Sequence, residues 1–254
     1  MRRIRRPASR LVGLALLLAS ISVPLTRAAA GPADTAAARA EMVRRIEAEA
    51  AATASITGVA RLDPRVLEAM REVPRETFVP AAMRDRAYGP GPLPVHPEQN
   101  LADPFLTALM LHLAEVKPGD PVFETGTDTG YLAALLVRMG ARVTSVEILP
   151  ELAALARRLL ADLPTDRLFL AEGDGYNGWP ERAPFAAIIV KEAVDHLPPP
   201  LLAQLAEGGR LVLPLGPPDG VQHLTVVVRR PGDRLELRRV LPVRFTAFQR
   251  GGRT

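Results

Sequence analysis

The chain has 254 residues, 48% hydrophobic and 24% charged, with 25 prolines, 19 glycines and no cysteine. That is the make-up of an ordinary globular domain, and it excludes disulfides, thiolate nucleophiles and cysteine-bound metals. The formal charge of +4 is not spread over the surface: residues 1–30 hold six arginines and no acid, which leaves 26 basic against 28 acidic groups elsewhere. The body of the protein therefore has no electrostatic reason to seek nucleic acid.

The first thirty residues run from arginines ending at Arg10, through an apolar stretch Leu11 to Val23, to Ala28-Ala29-Ala30 before Gly31-Pro32. This is the order of a secretory signal peptide, and the apolar stretch falls short of the ~18 residues a spanning helix needs. Residues 1–30 are thus expected to direct export to the periplasm or the exterior, with no stable membrane span. Residues 31–60 read as an N-terminal helical segment, with a helix over 33–56 that places Met42, Ile46 and Ala50 at i, i+4 spacing. Asp63 is placed to cap a second helix, Pro64 to Glu72, with proline at the first helical position. Residues 85–104, rich in Pro and Gly and without periodicity, read as a long loop. A helix from Pro104 to about Val116 follows, with Leu106, Leu109, Met110 and Leu113 on one face.

From Pro121 strands and helices alternate. Val122-Phe123-Glu124, Val143 to Ile148, Leu168-Phe169-Leu170, Phe185 to Val190 and Leu211–Leu215 read as strands. Between them Tyr131 to Met139, Glu151–Leu163 and Leu201–Ala206 read as helices. Such alternation predicts an α/β fold with a doubly wound, mostly parallel sheet. The strands His223–Arg229 and Leu235–Leu241 flank Pro231-Gly232-Asp233 and predict a closing antiparallel hairpin. One domain over residues 61–250 accommodates all of this.

In such a sheet the ligand lies beyond the carboxyl ends of the strands. Glu124-Thr125-Gly126-Thr127-Asp128-Thr129-Gly130 follows the first of these strands, Glu147 ends the second, and Gly173-Asp174-Gly175 ends the third. A glycine there permits positive φ or close ligand approach, and an acid at the second strand end can accept both ribose hydroxyls. Together they favour an adenosine-bearing cofactor. A dinucleotide turn wants G-x-G-x-x-G, and Asp128 would repel a pyrophosphate. S-adenosylmethionine, with its cationic sulfonium and amino group, suits an acidic loop better. The scattered histidines His96, His112, His196 and His223 offer no metal-ligand spacing, and Ser55 and Ser145 lie outside any G-x-S-x-G.

The segments Val73-Pro74-Arg75-Glu76-Thr77-Phe78-Val79-Pro80, Pro92-Leu93-Pro94, Glu124 to Tyr131, Val146-Glu147, Gly173-Asp174-Gly175 and Gly178-Trp179-Pro180-Glu181 resemble the protein-L-isoaspartate O-methyltransferase family. Ile188-Ile189-Val190 and Leu201 to Gly209 continue the match, which covers roughly residues 40–250. The resemblance implies a Rossmann-like class I methyltransferase that uses S-adenosylmethionine and binds it through Glu124, Gly126, Thr127, Asp128, Gly130, Glu147, Gly173, Asp174 and Gly175. It implies as partners proteins or peptides containing isoaspartyl residues, methylated at the α-carboxyl, with the enzyme acting as a monomer. The implied substrate loop contains Gln99, Asn100, Ala102 and Asp103.

The chain departs from the family at several of these places. Ala102 stands where the family has a serine linked to activity, Asn100 where it has threonine, and Asp128 where it has glycine. Ala186 replaces an aspartate, and Lys191-Glu192-Ala193-Val194 replaces a Thr-Ala-Ala-Ala-like segment. Alanine cannot hydrogen-bond an incoming carboxylate, Glu98 could repel it, and Lys191 could serve as a new partner for it. Export adds a conflict, since the cofactor is made in the cytoplasm. Beside the isoaspartyl methyltransferase stand two alternatives: a carboxyl methyltransferase of altered specificity, and a weakened or inactive exported binding protein.

Overall fold

The computed structural model describes residues 32–97 and 99–251; the expected signal segment 1–30 and Glu98 lie outside them. The chain opens with α1 (Pro32–Ala52) and the short α2 (Ala54–Thr57), then α3 (Pro64–Glu72). As its spacing predicts, α3 begins at Asp63, whose side chain accepts from the Arg65 amide, and buries Val66, Leu67, Ala69 and Met70. A small antiparallel hairpin, β1 (Leu93–His96) and β2 (Gln99–Leu101), leads into α4 (Pro104–Ala114). Then come β3 (Pro121–Thr125), α5 (Tyr131–Arg138), β4 (Arg142–Glu147), α6 (Pro150–Leu159), β5 (Leu168–Glu172) and β6 (Phe185–Ile189). The chain ends in α7 (Pro199–Ala203), β7 (Leu205–Leu215), β8 (Gln222–Arg230) and β9 (Arg234–Val243).

The seven-stranded sheet has the order β5-β4-β3-β6-β7-β8-β9. Strands β3 to β7 pair in parallel, while β8 is antiparallel to both β7 and β9. The expected doubly wound sheet with an antiparallel ending is therefore the observed one. Because side chains alternate along a strand, adjacent residues feed opposite faces. Val122 and Ile189 join a core with Met42, Met70, Leu109 and Leu135, so α1 shares that core with α3, α4 and α5. Phe123 and Ile188 join the other, with Phe185, Leu201, Leu211 and Val227.

Three expectations need correction. Residues 85–104 are not a plain loop, because Leu93 pairs with Leu101 and both are buried; the prolines hide a strand pattern only four residues long. Helix α6 stops at Leu159 rather than Leu163, in a turn ahead of Pro164. The helix expected over 201–206 is shifted back to Pro199–Ala203, and β7 runs from Leu205 through Gly208 and Gly209. Successive prolines at 198–200 pre-set the start of α7.

Candidate active site

Strand order reverses between β3 and β6, so the carboxyl ends of these two strands flank the crevice where open α/β sheets take ligands. From β3 the chain enters a loop in which Gly126, Asp128 and Gly130 all have left-handed φ, 59°, 52° and 96°. At Asp128 an L-residue with a short polar side chain tolerates that region. The loop is pinned from β4. The Asp128 amide donates to Glu147 Oε2 at 2.7 Å, and the Leu149 amide to Glu147 Oε1 at 3.0 Å. Ser145 Oγ donates to Glu124 Oε2 at 2.9 Å and lies 2.7 Å from Thr127 Oγ1. Burial, with the nearby Asp128 charge, holds Glu147 above the usual carboxylate range. At the end of β5, a Cβ on Gly175 would approach Thr125 Cβ to 3.1 Å, so the Gly173–Gly175 turn packs tightly on β3. Asp174 accepts from the Tyr176 amide at 2.9 Å and faces Arg250 at 3.6 Å.

From the other side of the reversal, Lys191 and Glu192 follow β6. Lys191 Nζ is 2.8 Å from Asp128 Oδ2 and 3.1 Å from Glu124 Oε1. Burial pulls this ammonium's pKa down, but the charges of Asp128 and Glu124 outweigh it and the pKa is raised. Burial raises Glu124, partly opposed by Lys191. Glu192 Oε2 accepts from the Thr125 hydroxyl at 2.8 Å, and burial with the Asp128 charge pushes Glu192 up to about 7.

The hairpin closes the far side. Gln99, Asn100, Ala102 and Asp103 line a cavity of about 350 Å³ together with Asp128 and Lys191. Asp103 is also the N-cap of α4: its carboxylate accepts from the Phe105, Leu106 and Gly91 amides. Ala102 presents only a methyl group, while its carbonyl accepts from Arg75 Nη2 at 2.7 Å. Arg75 is fully buried, donates also to the Ala87 carbonyl at 2.9 Å, and lies over the Tyr131 ring at 4.9 Å. The crevice thus brings together Glu124, Gly126, Thr127, Asp128, Glu147, Gly175 and Lys191. Gly173 and Asp174 lie at its β5 edge, and Gly130 starts α5.

Two contributions escaped sequence reasoning. Arg75 lies within a quoted motif, yet a guanidinium clamp on the hairpin leaves no periodic trace. The segment 244–251 returns to the crevice, where the Ala193 amide donates to the Thr246 carbonyl at 2.7 Å and the Phe248 amide to the Ala193 carbonyl at 3.0 Å. Phe248 lines a second, much smaller cavity of about 10 Å³ with Gly126, Glu147, Gly175 and Glu192. The acids and glycine turns at three successive strand ends fit an adenosine-bearing ligand in kind. Glu192 and Phe248 line the narrow space between these turns.

The chain is similar over most of its length to known proteins. The family model described as Protein-L-isoaspartate(D-aspartate) O-methyltransferase (PCMT) matches residues 53–251. Protein-L-isoaspartate O-methyltransferase 2 of Syntrophobacter fumaroxidans is 44% identical over 88% of this chain and 91% of its own. Protein-L-isoaspartate O-methyltransferase 1 of Cupriavidus necator is 42% identical over 91% of this chain and 90% of its own. A solved protein-L-isoaspartate O-methyltransferase superposes with a TM-score of 0.70 at 26% identity, over 82% of this chain and 65% of that one. The chain belongs to the protein-L-isoaspartate(D-aspartate) O-methyltransferase family.

Proposed function

We propose that the protein transfers a methyl group from S-adenosylmethionine to the α-carboxyl of isoaspartyl residues in damaged proteins, acting as an exported monomer. The observation that carries this reading is the convergence of the 124–130 turn, Glu147 and Gly175 beside the hairpin-lined cavity. Bound in the crevice, S-adenosylmethionine supplies an electrophilic methyl group on a cationic sulfur. Glu147 would receive its ribose hydroxyls, and Glu124 and Asp128 would face its positive charge. The hairpin excludes water from the acceptor side, and Arg75 holds its Ala102 carbonyl in place. A carboxylate is already a competent nucleophile, so the chain needs no general base; its work is alignment and water exclusion.

A weakened or re-specified carboxyl methyltransferase is the second reading, favoured by Ala102. No hydroxyl at that position meets the acceptor, and two carboxylates, Glu124 and Asp128, hold Lys191 in the crevice. Methyl ester formation on an isoaspartyl peptide and on its aspartyl twin decides between them. A clear preference for the isoaspartyl peptide supports the first reading, and equal or absent turnover overturns it. Mass spectrometry of the secreted fraction tests export. A chain beginning near Gly31 supports it, and a cell-retained chain beginning at Met1 overturns it.

A further inference from the structure

Lys191 and Glu192 are consecutive residues that reach across the strand-order reversal into the 124–130 turn. Lys191, with 11% of its side chain exposed, bridges Asp128 at 2.8 Å and Glu124 at 3.1 Å. Glu192 meets the turn at Gly126, where its Oε1 lies 1.9 Å from the place of a Cβ on that glycine. A left-handed glycine between strand and helix leaves backbone open to a ligand, yet here a carboxylate of the same chain fills the opening. With Gln99, Glu192 also separates the 350 Å³ cavity from the 10 Å³ one beside Glu147. The smaller space is far below what a nucleoside needs, a few hundred Å³.

We infer that Lys191 and Glu192 form an internal zwitterion in the subsite for the amino-acid end of S-adenosylmethionine, so that the donor binds by displacing them. This rests on the donor named in the proposed function. The ammonium of the ligand seeks the acidic pair Glu124 and Asp128, which Lys191 already holds. Its carboxylate seeks the turn backbone, which Glu192 covers. Apparent affinity is the intrinsic affinity multiplied by the fraction of molecules in the displaced state. A ligand that lacks the amino-acid end escapes the competition.

Calorimetry with two ligands tests this: S-adenosylhomocysteine, which carries the amino-acid end, and 5′-methylthioadenosine, which lacks it. The proteins are the unaltered chain, Glu192→Ala and Lys191→Met, each checked by thermal unfolding. Both variants are expected to bind S-adenosylhomocysteine at least about tenfold more tightly, with 5′-methylthioadenosine unchanged. Glu192→Ala leaves the Lys191 ion pairs intact and carries the test if Lys191→Met does not fold. Unchanged or weaker S-adenosylhomocysteine binding, or an equal gain with both ligands, overturns the inference. Binding by the unaltered chain without a gain in the variants overturns it alone; no binding by any of the proteins overturns the donor assignment as well.

Discussion

Strands β3, β4 and β6 carry two environments only a residue or two apart. Below their carboxyl ends lies a sealed apolar layer, in which the Phe123 and Phe185 rings sit 5.3 Å apart among Val146, Ile188 and Leu211. At the ends themselves Glu124, Ser145, Glu147 and Glu192 are buried almost as completely, at 0%, 0%, 1% and 6% exposure. The apolar layer is held by burial alone, so damage scales with the volume removed. The polar end is held by pairing, so damage depends on which partner is left behind. One half of the sheet tolerates substitution by size; the other tolerates it only in pairs.

The largest effects test that contrast. Phe123→Ala should lower unfolding free energy in urea by about 3–5 kcal/mol, with no second substitution restoring it except one that refills the space. Lys191→Met should cost a similar amount, about 3–5 kcal/mol, because it strands Glu124 and Asp128. Adding Asp128→Asn should return a sizeable part of that loss. A double variant as unstable as the single one would break the pairing account.

A smaller effect separates the regions by pH. Glu192 has a folded-state pKa near 7 against an ordinary value of 4.5, and it faces Asp128, Lys191, Glu147 and the Thr125 hydroxyl. Between those two pH values the native state holds a proton that the unfolded state has released, so stability falls as pH rises from about 4.5 to 7 and is level above. Glu192→Gln should remove its share of that slope, leaving what the raised Glu124 and Glu147 contribute, being close to neutral at pH 4.5 and gaining about 2–3 kcal/mol over the unaltered chain at pH 8. Phe123→Ala should show the same loss at both pH values. A Glu192→Gln gain that is independent of pH would show that packing, not charge, sets its effect.

The apolar half of this comparison was legible in the sequence, and the polar half only in pieces. Asp63 and Pro64 mark the start of α3 by chemistry that acts within one turn, and runs such as Phe185 to Val190 announce a strand buried on both faces. Glu124, Glu147 and Gly175 could be placed because strand ends in a doubly wound sheet share one edge. The pairing of Lys191 with Asp128 could not, because 63 residues separate them and only the strand order unites them. Glu192 lay inside a noted departure, but that it fills the space over Gly126 depends on side-chain direction. Arg75 and the hairpin just before the carbonyl it binds stayed hidden because the two strands, four and three residues long, are too short to show alternation.

The smallest effect concerns function at the rim of the polar half. Ala102 lines the large cavity with a methyl group, and its backbone is fixed by the Arg75 hydrogen bond rather than by its side chain. Ala102→Ser therefore adds a hydroxyl without moving the loop, and a hydroxyl there can donate to an incoming carboxylate. A hydrogen bond to a charged group contributes about 1.5 kcal/mol or more, and about 1.4 kcal/mol is a factor of ten in rate. Methyl transfer to an isoaspartyl peptide should rise about tenfold in kcat/KM, with thermal stability unchanged. The division of that gain is informative: a fall in KM alone means the hydroxyl holds the acceptor equally before and during transfer, and a rise in kcat means it acts at the transition state. No gain in either would place the acceptor carboxylate away from residue 102, leaving Lys191 and Arg244, the two cationic side chains among the described residues lining the cavity, to receive it.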